Sequence, residues 1–292
     1  MAEVVVIGPA SLNEIVELDS LPEPRPHTVT ANAHWRTLGG TSAGKALHLA
    51  ALGRDTACVT VVGDDDDAAR ILADLAAGGV RVSPLTAHGP SEHHVNLMTR
   101  AGERLSIYVD HAPLVELGAS QRAEIATLLA DARAVALDLS ALGVACVEAV
   151  RASRAEVWVD LHDYDGRNPF HDAFIPHADV LLMNGDGMDD PVAFLRARVA
   201  AGASAGICTL GADGAVGVAS DGDLVTVDAV PVTVVDTNGA GDAFAAGMIA
   251  SRLSAGNDRA WDAPTLRRAM EAGARQATAA LSSRGLAPET PS

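Results

Sequence analysis

Three glycine-rich turns hold the residues able to do chemistry. In Val234-Val235-Asp236-Thr237-Asn238-Gly239-Ala240-Gly241-Asp242-Ala243-Phe244, a β-branched run gives way to small residues, and an acid then opens an apolar segment suited to a packed helix. Small side chains let the backbone turn tightly with its N–H groups exposed, and a helix N-terminus adds partial positive charge. The result is an anion hole with a carboxylate beside it. That pairing suits phosphoryl transfer: the phosphoryl group rests on the N–H groups of Gly239, Ala240 and Gly241 while Asp242 accepts a proton from an attacking hydroxyl. Spacing alone also allows Asp242 to be a plain helix cap.

The second turn, Leu38-Gly39-Gly40-Thr41-Ser42-Ala43-Gly44-Lys45-Ala46, opens a helix that runs to Leu52-Gly53. It nearly spells the phosphate loop GxxxxGK[ST]. The match fails at Ala46, which has no hydroxyl for Mg²⁺, and in its context, because a polar stretch precedes it where that motif needs a buried first strand. Lys45 is the only lysine in the chain. Placed at the start of a helix, it could meet a carboxylate or phosphate on a substrate, or pair with an acid such as Asp110. The third turn, Thr209-Leu210-Gly211-Ala212-Asp213-Gly214-Ala215, joins two apolar runs and by itself reads as an ordinary hairpin.

Other acids end apolar runs. Asp160-Leu161-His162-Asp163-Tyr164-Asp165-Gly166 follows one such run, where open α/β sheets bind ligands. A substrate-facing or nucleotide-facing loop, a solvated turn and a metal site are its three readings. Asp138 and Ser140 end another run within reach of a substrate. His93-His94 reads first as surface, with a sugar contact as its other reading, and Asp64 to Asp67 as a solvated turn before a helix.

The elements that must position these turns are short β-branched runs at 4–7, 57–62, 134–139, 157–161, 180–183, 206–210 and 215–218. Helical periodicity separates them, at 68–77, 121–132, 191–201 and 242–253. Strands alternating with helices predict a mainly parallel sheet covered on both faces, a three-layer α/β/α arrangement in one domain over 1–292. Residues 13–37 and 91–113 break the rhythm. They are polar, turn-rich and β-leaning, with alternation in Val95-Asn96-Leu97-Met98, and predict a small sheet acting as a lid.

Composition narrows the partners. A formal charge of −17 repels polyanions, which argues against nucleic acid and anionic membrane surfaces. No stretch reaches the roughly 18 apolar residues that a membrane helix needs. Met1 to Gly8 carries an acid where an export signal needs basic residues, and Cys58, Cys146 and Cys208 sit apart in apolar runs. Buried thiols and a cytoplasmic location are expected. Aromatic residues make up only 3% of the chain, yet Trp35, Tyr108, Tyr164 and Phe170 fall where they could face a site.

Taken in order, the three turns resemble those of the ribokinase-like family of sugar and nucleoside kinases, also called the PfkB family. The resemblance rests on Gly39-Gly40 followed by a helix ending in Leu52-Gly53, and on Asp-Thr-x-Gly-Ala-Gly-Asp from Asp236 to Asp242 without a mismatch. It implies an ATP-dependent kinase acting on a sugar hydroxymethyl group, with Asp242 as base and Gly239, Ala240 and Gly241 holding the phosphoryl group. Thr209, Gly211 and Gly214 would lie along ATP, with Asn184. Asn13, Gly39, Gly40, Lys45 and Asp236 would serve the substrate, and Asp236 could also order a loop that binds K⁺. A nucleoside kinase, or an impaired sensor that binds nucleotide and sugar without turnover, is the alternative.

Lid strands would close over the sugar and form a homodimer. Three positions depart from the family pattern. Asn13 stands where many members have Asp, and Gly44-Lys45 where many have an Asn. Gly187 stands in place of the Glu that organises Mg²⁺ waters, which leaves Asp186 or Asp189 to act through water.

Overall fold

The computed structural model describes residues 2–100, 102–256, 260–283 and 285–286. Its central layer begins with β1 (Val4–Ile7), four buried residues with period-two side chains. Val4 and Val6 face one apolar cluster and Val5 and Ile7 face another, so a single strand feeds two cores. That two-faced burial explains why the strand reads as a continuous apolar run.

Strands β2 (Ser11–Leu18) and β3 (Ala33–Gly39) follow, then α1 (Thr41–Ala51), β4 (Thr56–Val62), α2 (Asp66–Ala77) and β5 (Arg81–Thr86). Next come β6 (His93–Thr99), β7 (Arg104–Asp110), α3 (Ala119–Ala130), β8 (Ala134–Leu137), α4 (Ala141–Ala152), β9 (Glu156–Asp160) and β10 (Val180–Asn184). The chain ends with α5 (Pro191–Ala200), β11 (Ala205–Thr209), β12 (Ala215–Val218), β13 (Leu224–Val227), α6 (Ala240–Ala255) and α7 (Ala263–Leu281). Nine strands form the main sheet in the order β13-β12-β11-β10-β9-β8-β1-β4-β5. From β11 to β5 every pairing is parallel, and only β12 runs against its neighbours. Helices α1, α2, α6 and α7 cover one face; α3, α4 and α5 cover the other.

Parallel register has a functional result. Leu182 pairs with Asp160 and Asn184 with Thr209, and Leu137 pairs with Ile7. Asp138, Asp160, Asn184 and Thr209 therefore leave the sheet along one edge, at the strands' carboxyl ends. The predicted lid is a second sheet in the order β3-β2-β6-β7. Its strands lie inside 13–37 and 91–113, except that β2 begins at Ser11 and β3 runs on to Gly39.

Two edge strands, β5 and β13, escape a reading by pattern. β5 mixes Arg81, Ser83 and Pro84 with two apolar residues, and the proline is tolerated because the strand is an edge. The acidic run at 64–67 is more than a solvated turn. Asp65 caps α2 through the Ala68 N–H and also accepts from the Ser91 N–H, while Asp64 accepts from the Gly89 N–H, so the run ties α2 to the entrance of the lid. All three cysteines are buried and free, and burial pushes the Cys58 thiol up to about 12. No described helix is long and apolar enough to cross a membrane.

Candidate active site

Asp242 stands in the first turn of α6, whose N-cap is Gly239 in the left-handed conformation at φ 76°. No side chain caps this helix. Its first N–H groups therefore point into the space in front of it, the arrangement that receives anions. Two cavities meet there. One, of about 640 Å³, is walled by Gly40, Thr41, Asp160, Asn184 and Asp186 from the main sheet side and by Asn13, His94, Asn96 and Tyr108 from the lid. The other, of about 550 Å³, is walled by Thr209, Gly211 and Gly214 together with Val227, Val230, Val232, Ala274 and Ala277. Thr237, Ala240 and Gly241 line both.

Lys45 is the hub beneath the first cavity. Its ammonium, 2% exposed, lies 2.9 Å from Asp138 Oδ1, 2.9 Å from Asp242 Oδ1 and 3.3 Å from Asp160 Oδ2. It also donates to Thr41 Oγ1 at 2.5 Å, and Thr41 donates to Asp242 Oδ1. Burial disfavours the cation, but the three carboxylates outweigh it and hold Lys45 well above its usual range. Burial pushes the Asp242 carboxyl up, with Lys45 and Thr41 working against that rise. For Asp160, burial also acts upward, yet His162 and Lys45 prevail and hold it at about 2.

Of the two readings of Lys45, pairing with an acid is the one the structure bears out, with Asp138, Asp160 and Asp242 as partners in place of Asp110; those three carboxylates, and no substrate group, are what its ammonium meets. The phosphate-loop reading falls, since a lysine held in an acidic pocket below the cavity cannot wrap a phosphate.

Gly44 has its own reason. A Cβ there would lie 2.9 Å from Asp242 Oδ2 and 3.1 Å from its Cβ, so the glycine lets Asp242 rest directly on α1. Gly44 and Lys45 together make the seat for that acid.

The remaining candidates divide into wall and support. Asn13, buried, lines the first cavity and accepts from Ser11 Oγ at 2.8 Å. Gly40, Asn184, Asp186, Gly239, Ala240 and Gly241 also line it. Gly39 stands behind the wall, where any Cβ would meet the Asn13 amide at 2.2 Å. Asp236 stands behind it too, accepting from the Asn238 N–H at 2.8 Å and so shaping the loop before the anion hole. Thr209, Gly211 and Gly214 lie together in the second cavity.

In the 160–166 loop, Asp160, His162 and Asp163 face the first cavity, whereas Asp165 closes a local turn on the Arg167 and Asn168 N–H groups. No described group of three or more His, Cys, Asp or Glu is arranged to hold a metal.

Sequence reading missed part of the lid's contribution. His94 is buried, packs against Tyr108 with ring centroids 3.9 Å apart and lines the cavity, so its surface reading is wrong. Asn96, Arg104, Ser106 and Tyr108 join it. The signal was available: positions 94 and 96 and positions 104, 106 and 108 share one face of the lid by strand periodicity. Arg104 also donates to Asn238 Oδ1 at 3.1 Å, which joins the lid to the anion-hole loop. Of the other aromatics, Tyr164 is in the core and Trp35 and Phe170 line neither cavity.

Residues 1–292 match the profile described as "pfkB family carbohydrate kinase". The chain belongs to this family. Acarbose 7(IV)-phosphotransferase of an Actinoplanes species is 29% identical to this kinase over 256 residues, covering 86% of this chain and 85% of that protein. Fructoselysine 6-kinase of Escherichia coli is 29% identical over 216 residues, covering 72% and 80%. Among solved structures, a microbiome-derived acarbose kinase superposes with a TM-score of 0.82 at 26% identity, over all of this chain and 95% of the other. Ribokinase from Arabidopsis thaliana, at 21% identity and a TM-score of 0.75, shares the fold. The kinase thus has the ribokinase-like α/β architecture, and ATP binding is implied by its family.

Gly187, expected to stand in place of a Glu, leaves no space for a side chain. A Cβ at that position would sit 2.2 Å from the Asp163 carbonyl oxygen and 3.0 Å from that of Tyr164. The two loops touch through backbone, and a side chain would force them apart. Gly187→Glu is therefore expected to cost about 1–3 kcal/mol of stability, in the range of overpacked sites. Thermal melting and steady-state rates check this; a faster enzyme of unchanged stability would refute it.

Proposed function

We propose that this kinase transfers the γ-phosphoryl group of ATP to a hydroxymethyl group of a small sugar, with Asp242 as general base. The observation that carries the reading is the Asp242 carboxylate beside an uncapped helix N-terminus at the meeting of two cavities. Oδ1 is taken by Lys45 and Thr41, so Oδ2 is the oxygen with capacity for a substrate hydroxyl. As that hydroxyl oxygen bonds to the γ-phosphorus, its proton passes to Oδ2 and the bond between phosphorus and the bridging oxygen of ADP breaks. The N–H groups of Gly239, Ala240 and Gly241 face the charge on the transferring group.

The second cavity fits an adenine ring: its wall is apolar, and Gly211 and Gly241 present backbone with no heavy atom within 4 Å of a Cβ position. Mg²⁺ would offset the charge of the phosphates. Asp186, whose N–H donates to Asn184 Oδ1, would hold it through water, in keeping with an ion that keeps several waters. Asn13, Asn96 and Ser106 offer the donors and acceptors that a polyol needs. The names of the acarbose and fructoselysine relatives support a sugar acceptor, and a nucleoside kinase relative at 28% identity over 86% of this chain keeps nucleosides in the test.

ADP release from ATP and Mg²⁺ against a panel of sugars, glycosides and nucleosides tests the proposal. Acceptor-dependent turnover sustains it. Silence across the panel with ATP still raising the melting temperature would replace it with the sensor reading.

The lid also supports a homodimer. Leu105, Ile107 and Val109 alternate along β7 and are 44–53% exposed on the face turned away from the cavity. Light scattering at micromolar concentration should give twice the 29.9 kDa of one chain.

A further inference from the structure

A third cavity, of about 390 Å³, opens beside the acceptor cavity and shares Pro9, Glu92, Tyr108 and Leu139 with it. Beyond those shared residues it is bounded by Val61, His111, Leu114 and Leu142. Its character differs from that of the site it adjoins. The acceptor cavity has amides, hydroxyls and carboxylates on every side, whereas this annex is largely aliphatic with a ring at its edge. Tyr108 and His111 lie with ring centroids 5.5 Å apart and planes 22° from parallel, and Tyr108 also contacts His94.

Two of the polar side chains that reach the annex are already engaged, while Tyr108 and His111 present their rings to it. Ser140 Oγ caps α4 by accepting from the Gly143 N–H at 2.9 Å, and Glu92 Oε1 lies 3.0 Å from His94 Nε2. An occupant would have to leave hydroxyls or charges unpaired to fill this space with a polar face, which costs free energy.

We propose that the annex is a subsite for a second ring of the acceptor: the kinase takes an O-glycoside or disaccharide, with the phosphorylated ring in the polar cavity and the apolar face of the next ring in the annex. Three features support that occupant. Continuity through Tyr108 and Leu139 means one molecule can span both spaces. An aromatic edge suits the C–H face of a saccharide or aryl ring. A free monosaccharide, held by its hydroxyls in the polar cavity, leaves the annex empty. The inference rests on the kinase reading for its orientation, since the polar cavity is assigned to the reacting ring.

Steady-state kinetics should compare free hexoses and pentoses, disaccharides, p-nitrophenyl glycosides and nucleosides in the wild type, in Ala141→Trp and in Leu114→Asp. Ala141 is the exposed first residue of α4 at the annex wall, and Leu114 is 84% exposed, so both changes are expected to leave the fold intact. In the wild type, KM for the best two-ring O-glycoside should be at least about tenfold below that of its free sugar, equivalent to about 1.4 kcal/mol. Both variants should erase that advantage while kcat/KM for the free sugar stays within about twofold.

A free sugar preferred to every glycoside, or variants that depress both acceptors equally, would overturn the proposal. A nucleoside preferred to all of them would likewise overturn it, by making the annex a nucleobase site. If no acceptor is phosphorylated, the kinase reading fails, and calorimetry with p-nitrophenyl glycosides still decides the annex. Saturable binding that Ala141→Trp abolishes would sustain it, and no binding would end it.

Discussion

Asp242→Asn is expected to lower kcat by about three orders of magnitude, within the range that positioned general bases contribute. The substitution keeps the shape of the side chain and removes its ability to take a proton. Lys45 keeps two carboxylate partners, Asp138 at 2.9 Å and Asp160 at 3.3 Å, so the hub below the cavity stays paired. In the proposed arrangement ATP would contact the second cavity and the N–H groups before Asp242, so its stabilisation of the protein in thermal melting should survive. A rate within tenfold of wild type would remove Asp242 from the proton transfer and leave it a partner of Lys45 and Thr41 only. A variant that has lost ATP binding as well would show that the acid shapes the anion hole itself.

Lys45→Met should be the most damaging substitution for stability. It leaves Asp138, Asp160 and Asp242 converging on an apolar side chain in a place where Lys45 is 2% and Asp138 1% exposed. Breaking a buried ion pair from one side costs about 3–5 kcal/mol, and for a chain of this size each kcal/mol moves Tm by roughly 2–4 °C. A Tm drop of about 10 °C is the expected reading.

The pH dependence has a definite sign. Asp160, held at about 2 in the fold, adds stability that is present above the ordinary carboxylate range and lost as pH falls toward 2. Without Lys45 one source of that depression goes, and Asp242, already raised by burial, loses its main counterweight. The acid limb of the variant's kcat/KM profile must move to higher pH, so activity at pH 6 falls more than activity at pH 8. Cys58, Ser42 and His162 also adjoin this cluster, Ser42 donating to Asp138 Oδ2 at 2.6 Å and His162 acting on Asp160. Asp160→Asn added to Lys45→Met removes one orphaned charge and should recover part of the lost Tm. An unchanged pH profile with a lowered Tm would make Lys45 purely structural.

The parallel sheet was legible because strands buried on both faces read as unbroken apolar runs, as in Val4-Val5-Val6-Ile7. Asp242 and its glycines were legible for a related reason: a turn that exposes N–H groups tolerates few residue types. Edge strands were not, because β5 and β13 are buried on only part of their length and carry no steady period. The partners of Lys45 were also hidden. Asp138, Asp160 and Asp242 lie 93 to 197 residues from it in sequence and meet only because parallel register delivers strand ends to one edge. Nothing local marks Gly187 as a glycine imposed by packing, since its neighbour is the backbone of a loop that begins after another strand.

A single lysine placed this way also changes how the protein meets amine-directed reagents. Acylating or reductively methylating chemistry, which modifies most proteins at many exposed lysines, finds the one side-chain amine of this chain closed off and fully protonated among three carboxylates. Modification of Lys45 thus requires the floor of the active site to open. The extent of Lys45 labelling over time becomes a direct clock for that opening, with no mutation, and a bound acceptor or nucleotide that tightens the site should slow it.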